Sequence, residues 1–328
     1  MGQAILPVWV DCRHAWDRAQ EGETITIMQP EELRRKLEGV IAFPVTPFKK
    51  DYSLDLDAVR QNVTEMLKIP MCAIVAAGGT GEMYSLTPEE HRQVIEATVE
   101  AAAGAVPVIA GVGFGSGLAV QLTKQSQDAG ADGILCFPPY YPNAHFEGLL
   151  QYYTAIGQAT DLGLFIYSRD WAAFSPSEVY RLAESIPNLI GWKDGQGDLR
   201  RYQAIMERVG KRLHWIGGIG DDLVPGYYAI GIRTYTSSIA TIAPRLSLRL
   251  HERAAMVDNS SLSRLMSNYV LPLYAIRGRR KGYEVSVMKC AMEILGKPAG
   301  PVRPPLVEVR PEEREEIKAL MERFKPVL

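Results

Sequence analysis

Lys193 closes an apolar run, Ile190-Gly191-Trp192-Lys193. An ammonium held over a packed apolar core is poorly solvated, and that lowers its pKa by disfavouring the charged form. A neutral amine at working pH attacks a ketone and becomes an imine. The bland alternative is a lysine that snorkels to solvent or pairs with Asp194. Tyr167 closes the preceding apolar run at the equivalent level. A phenol there would move protons during imine formation; the alternative is a core tyrosine with a satisfied hydroxyl. The third part is Gly78-Gly79-Thr80-Gly81-Glu82. Glycines let backbone approach a ligand, and successive N–H groups form an anion nest. Gly79 and Thr80 therefore suit a carboxylate beside the ketone, against the alternative of an ordinary tight turn.

These residues need elements that bring them to one place. Apolar runs read as strands at Val40–Val45, Ala73–Ala77, Val106–Gly111, Asp132–Phe137, Leu162–Tyr167, Leu189–Lys193, His214–Gly217 and Thr234–Ser238. Helical spacing comes after each of them, at Leu56–Ile69, Pro88–Ala103, Leu118–Ala129, Phe146–Ala159, Pro176–Ser185, Leu199–Val209, Asp222–Ile230 and Arg245–Met256. Thr87 with Glu90 has capping-box spacing, and Ser175 is a second cap. Continuous apolar strands alternating with helices predict an α/β fold, a (β/α)8 TIM barrel, with sites at the C-terminal strand ends. An open doubly wound sheet is the rival. Its dinucleotide signature is missing, because Gly111–Gly117 reads G-x-G-x-G-x-G and fits a tight turn. The expected organisation is an N-terminal extension over 1–27, a barrel over 28–257 and a C-terminal helical extension over 258–328 packed on the barrel. That extension comprises Leu262–Ile276, Tyr283–Leu295 and Pro311–Phe324, with Pro298–Pro305 between the last two. Residues 1–27 carry little pattern, whereas Pro30-Glu31-Glu32-Leu33 is a good helix start, which makes Met28 a candidate native start.

Composition narrows the function. The formal net charge of −2 over 328 residues gives no support to nucleic-acid binding. The densest basic cluster, Arg277–Lys281, reads as a solvated helix end. Cys12, Cys72, Cys136 and Cys290 are far apart, which argues against a zinc site or a disulfide framework and for a reducing, cytoplasmic compartment. The five histidines are scattered without metal-ligand spacing, so no metal is expected. No apolar run approaches the roughly 20 residues that span a bilayer, so no membrane partner is expected.

The lysine, the tyrosine and the glycine loop together resemble the N-acetylneuraminate lyase and dihydrodipicolinate synthase superfamily of Schiff-base aldolases and dehydratases, from about Leu37 to the C-terminus. The resemblance implies carboxylate binding at 78–82, a catalytic Tyr167 and an imine-forming Lys193. It also implies that Tyr141, in Pro139-Tyr140-Tyr141, crosses a subunit interface to join a proton relay in a homotetramer, a dimer of dimers. Within the superfamily the details are most similar to the 5-dehydro-4-deoxyglucarate dehydratases. The similar segments are Gly79, Trp192–Asp198, Tyr235–Ser238, Lys281–Ser286 and Ala299–Leu306. Ser168, where the family usually has Asn, departs from the pattern, as do Asp170-Trp171 and the double tyrosine at 140–141.

The substrate implied is a small 2-keto sugar acid, dehydrated and decarboxylated without metal or organic cofactor. Arg169, Ser237 and Ser238 are candidates for its distal carboxylate and hydroxyls, with a structural ion pair the alternative for Arg169. Three other readings stay open. One is a retro-aldolase releasing pyruvate. Another is dihydrodipicolinate synthesis, disfavoured by Gly79 and the missing arginine spacing after Tyr167. The last is a non-catalytic barrel that only binds keto acids.

Overall fold

The computed structural model describes residues 28–328, so the reading of residues 1–27 lies outside the described residues. Eight parallel strands close into a barrel in sequential order. They are β1 (Gly39–Ala42), β2 (Ala73–Ala76), β3 (Val108–Val112), β4 (Gly133–Cys136), β5 (Gly163–Arg169), β6 (Leu189–Gly195), β7 (His214–Gly217) and β8 (Thr234–Ser237). A short helix, α1 (Pro30–Lys36), precedes them. The helices between strands are α2 (Leu56–Met66), α3 (Pro88–Ala102), α4 (Ser116–Asp128), α5 (Phe146–Gly157), α6 (Pro176–Ser185), α7 (Leu199–Val209) and α8 (Val224–Ala229), with α9 (Pro244–Ala255) after β8.

Side chains alternate across each strand, so the barrel has two apolar compartments. Ala73 and Val75 of β2 join Ile41, Ile109, Phe165 and Ile216 in the interior, while Ile74 and Ala76 pack towards the helices. Leu33 and Leu37 belong to the interior cluster and are almost fully buried. Helix α1 thus closes the N-terminal mouth and leaves the opposite mouth for ligands. Both anticipated caps form. Thr87 with Glu90 and Ser175 with Glu178 each make reciprocal capping boxes at the starts of α3 and α6.

Four elements around the site differ from the sequence expectation. Strands β5 and β6 run two residues past Tyr167 and Lys193, pairing Ser168 with Asp194 and Arg169 with Gly195. The added polar groups are satisfied. The Asp194 carboxylate accepts from the Tyr227 hydroxyl at 2.7 Å and from the N–H groups of Gln196 and Gly197 at 3.0 and 3.2 Å. The helix expected over 222–230 opens instead with a 3₁₀ turn, Asp221–Leu223, because Pro225 sits in the first turn of α8 and has no N–H to donate. The helix expected over 262–276 is three pieces: α10 (Asn259–Leu265), a π turn (Met266–Val270) and α11 (Leu271–Arg277). Pro272 removes a ladder donor, and a wider turn accommodates the break.

Two further helices, α12 (Tyr283–Ile294) and α13 (Pro311–Phe324), complete the chain. The strap before α13 is bonded to the barrel rather than loose. Asn62 donates to the Pro298 carbonyl at 2.7 Å, and Phe48 N–H donates to Ala299 at 3.2 Å. Arg303 pairs with Glu90 at 2.6 Å. Gly300 has φ +65°, and a Cβ there would lie 1.7 Å from the Phe48 carbonyl oxygen, so only glycine fits. No described helix is long and apolar enough to cross a membrane.

Candidate active site

A cleft of about 520 Å³ opens at the C-terminal strand ends. That is within the range of small-molecule sites and large enough for a six-carbon acid. Lys193 stands in its floor, only 2% exposed. The neighbouring residue Asp194 points to the opposite face of β6 and is bonded there, so it does not pair with the lysine. Lys193 Nζ donates to the Gly218 carbonyl at 2.8 Å and lies 3.1 Å from the centroid of the Tyr167 ring. Burial pushes the amine well below its ordinary pKa, and the Arg169 charge pushes it further, against a smaller opposing pull from Asp194. The downward shift is a direct consequence of the position of Lys193 on β6, and it favours the neutral form of the amine.

Tyr167 is the register partner of Lys193 on β5. Its hydroxyl donates to the same Gly218 carbonyl at 3.2 Å. Burial raises its pKa, with Arg169 opposing, so the phenol keeps its proton at neutral pH. Phe137 packs edge-on against the ring at 5.4 Å and fixes its plane. Gly218 does not stand out in the sequence. A Cβ there would fall 2.2 Å from the Asp194 carbonyl oxygen and 2.8 Å from Lys193 Nζ. The residue must be glycine for the lysine to lie against the β7 backbone.

The Gly78–Glu82 loop leaves β2 as a tight turn, with the Glu82 and Met83 N–H groups bonded back to Gly79 and Gly78 carbonyls. Gly79 and Thr80 face the cleft. Glu82 turns away from it, in the left-handed region at φ 53°. Its carboxylate is fully buried against Lys289 of α12 at 2.6 Å and accepts the Arg303 N–H at 2.9 Å. Burial lowers the Lys289 pKa while Glu82 opposes the shift. The glycine loop is thus anchored by α12 and the strap that follows it, a pairing of which sequence spacing carries no sign.

The remaining candidates divide. Arg169 lines the cleft, with Nη1 3.7 Å from where a Gly79 Cβ would sit, and its Nε bonds Asp170 at 2.7 Å. Ser238 lines the cleft, but Ser237 does not. Ser237 Oγ is buried outside the barrel wall, bonded to Asp221 and, at 2.7 Å, to Ser247. Strand alternation puts Thr236 and Ser238 on the cleft side and Ser237 behind it. Tyr141 lies on the loop after β4, 71% exposed, and is not part of the cleft wall within a single chain. Tyr84, Asp222, Tyr274, Arg277 and Glu284 also line the cleft, and none stands out in the sequence as a site residue. Among the described residues no group of three His, Cys, Asp or Glu side chains is arranged to hold a metal ion.

Residues 36–324 match the profile of the dihydrodipicolinate synthetase family. A Bradyrhizobium diazoefficiens protein named a probable 5-dehydro-4-deoxyglucarate dehydratase is 37% identical over 300 residues, covering 90% of this chain and 96% of that protein. A Saccharopolyspora erythraea protein of the same name is 40% identical over 283 residues, covering 85% of this chain and 92% of its own. The crystal structure of dihydrodipicolinate synthase from Bacillus clausii superposes with a TM-score of 0.85 at 29% identity, covering 89% of this chain and 99% of that one.

Proposed function

The chain belongs to the dihydrodipicolinate synthetase family, and on that premise we propose that it is a Schiff-base hydro-lyase converting 5-dehydro-4-deoxyglucarate to 2,5-dioxopentanoate, carbon dioxide and water. Lys193 Nζ attacks the C5 ketone and, with loss of water, becomes the C5 iminium. The iminium acidifies C4, a base takes a C4 proton, and hydroxide leaves C3 as water. The conjugated iminium accepts the C1–C2 bonding electrons as C1 departs as carbon dioxide. Protonation of the resulting dienamine and hydrolysis of the imine release product and restore the amine. The protein supplies the electron sink itself. Tyr167 carries protons, and Gly79 and Thr80 hold the C6 carboxylate beside the ketone.

The observation that carries this reading is the buried Lys193 amine at the cleft floor, its pKa pushed down by burial, in contact with Tyr167. The names of the relatives at 37–40% identity support the choice of substrate. The same reading takes the enzyme to be a cytoplasmic dimer of dimers, in which Tyr141, exposed in one chain, meets a neighbouring copy. The test is a product assay with 5-dehydro-4-deoxyglucarate. Equimolar carbon dioxide and 2,5-dioxopentanoate are expected; pyruvate release would reassign the enzyme as a retro-aldolase on the same imine.

A further inference from the structure

Arg277 ends α11 and lines the cleft. Its guanidinium stacks 4.3 Å from the Tyr274 ring. Nε and Nη1 are shielded from solvent and have no hydrogen-bond partner. Asp222 lines the same wall, and its Oδ1 is likewise shielded and unpartnered. A shielded cationic donor and a shielded carboxylate oxygen, both left unbonded, are costly unless a ligand completes them. In sequence, Arg277–Lys281 reads as a solvated helix end. The structure corrects this for Arg277. The π turn at Met266–Val270 inserts a residue, and one added residue rotates the rest of the helix by about 100°. Helix α11 is thereby turned to carry Tyr274 and Arg277 to the cleft, and Tyr274 is locked by hydrogen bonds to Asp221 N at 2.7 Å and Oδ2 at 2.9 Å.

Position separates the two cleft arginines. Arg169 reaches the Gly79 loop and is already paired with Asp170. Arg277 stands beside the segment after β7, where Tyr274 holds Asp221, and β8 and β1 separate β7 from the strand that carries the Gly79 loop. A keto diacid bound through its ketone at Lys193 and its near carboxylate at Gly79 leaves its other end in need of a cationic partner, and Arg277 lines the cleft with Nε and Nη1 unbonded.

We propose that Arg277 and Asp222 form the subsite for an α-hydroxy carboxylate, Arg277 taking the distal carboxylate and Asp222 Oδ1 accepting the adjacent hydroxyl. This rests on the imine reading above and names what selects the far end of the substrate. Ionic attraction favours the intact carboxylate over departing carbon dioxide, so Arg277 acts on substrate binding more than on turnover.

The test uses borohydride trapping with two probes of equal length, 2-oxoadipate and 2-oxohexanoate, on wild type and R277Q. Wild type is expected to reach half-maximal adduct at about tenfold to hundredfold lower 2-oxoadipate than 2-oxohexanoate, the range for a charge-assisted hydrogen bond. R277Q should lose that preference, half-saturation by 2-oxoadipate rising to that by 2-oxohexanoate, and R277K should recover part of it. Equal half-saturation for the two probes in wild type overturns the proposal whatever the variant does. So does an unchanged preference in R277Q. Absence of any adduct in wild type with either probe is a different outcome, and it overturns the imine reading itself.

Discussion

Lys193 Nζ and Tyr167 Oη donate to a single acceptor, the Gly218 carbonyl, at 2.8 and 3.2 Å. The two side chains come from neighbouring strands in direct register, and the carbonyl comes from the end of the third. Three consecutive strands thus fix the amine and the phenol against each other before any substrate arrives. A nucleophile held this way loses little freedom on reaction, which is how pre-orientation lowers a barrier.

Tyr167→Phe removes the hydroxyl and keeps the ring that packs on Phe137 and Lys193. Turnover should fall by about 10²–10⁴-fold, the usual contribution of a positioned proton carrier. The far-ultraviolet dichroism spectrum should be unchanged, and stability should fall by only about 1 kcal/mol for one lost hydrogen bond. Steady-state kinetics with the sugar acid checks this. Turnover close to that of wild type would remove Tyr167 from the mechanism.

The depressed pKa of Lys193 is also a statement about stability. The unfolded lysine holds its proton up to about pH 10.4, while the folded one releases it far lower. Between those two values the unfolded chain binds more protons, so stability rises with pH. At neutral pH the buried amine is therefore a burden, which Lys193→Met relieves. The variant should have the higher apparent melting temperature at neutral pH, and the gap should narrow as the pH is raised towards about 9.5, near the unfolded lysine's pKa. A gap that does not change with pH would contradict the assigned direction of the shift.

How far the site can be read in sequence depends on whether local pattern or distant packing places each residue. Lys193 and Tyr167 are legible because a polar residue ending an apolar run marks the top of a buried strand. Gly79 and Thr80 are legible because clustered glycines imply close backbone approach. Ser237 is misplaced by the sequence because two adjacent serines look alike until the alternation of β8 is fixed; the parity that puts Thr236 with Ser238 is the signal that finds Thr236. Gly218, the Glu82–Lys289 pair and Arg277 are not legible. Each owes its role to a contact between segments far apart in the chain, and the turn that aims Arg277 breaks the 3.6-residue period on which helix reading relies.

The Glu82–Lys289 pair ties the Gly78–Glu82 loop to α12, with both side chains essentially inaccessible to water. Lys289→Met leaves a buried carboxylate without its counter-charge and should cost about 3–5 kcal/mol in chemical denaturation. The double variant E82Q/K289M, which buries no charge at this place, should recover a substantial part of that loss. A double variant no more stable than the single one would mean that the pair is not what holds the loop.

The central claim is that Lys193 forms the imine. Incubation with a 2-keto acid and borohydride, then peptide mass spectrometry, tests it most directly. The account predicts one stoichiometric adduct on the peptide containing Lys193, abolished by Lys193→Ala. An adduct on another lysine, or none under conditions where the protein is folded, would contradict it.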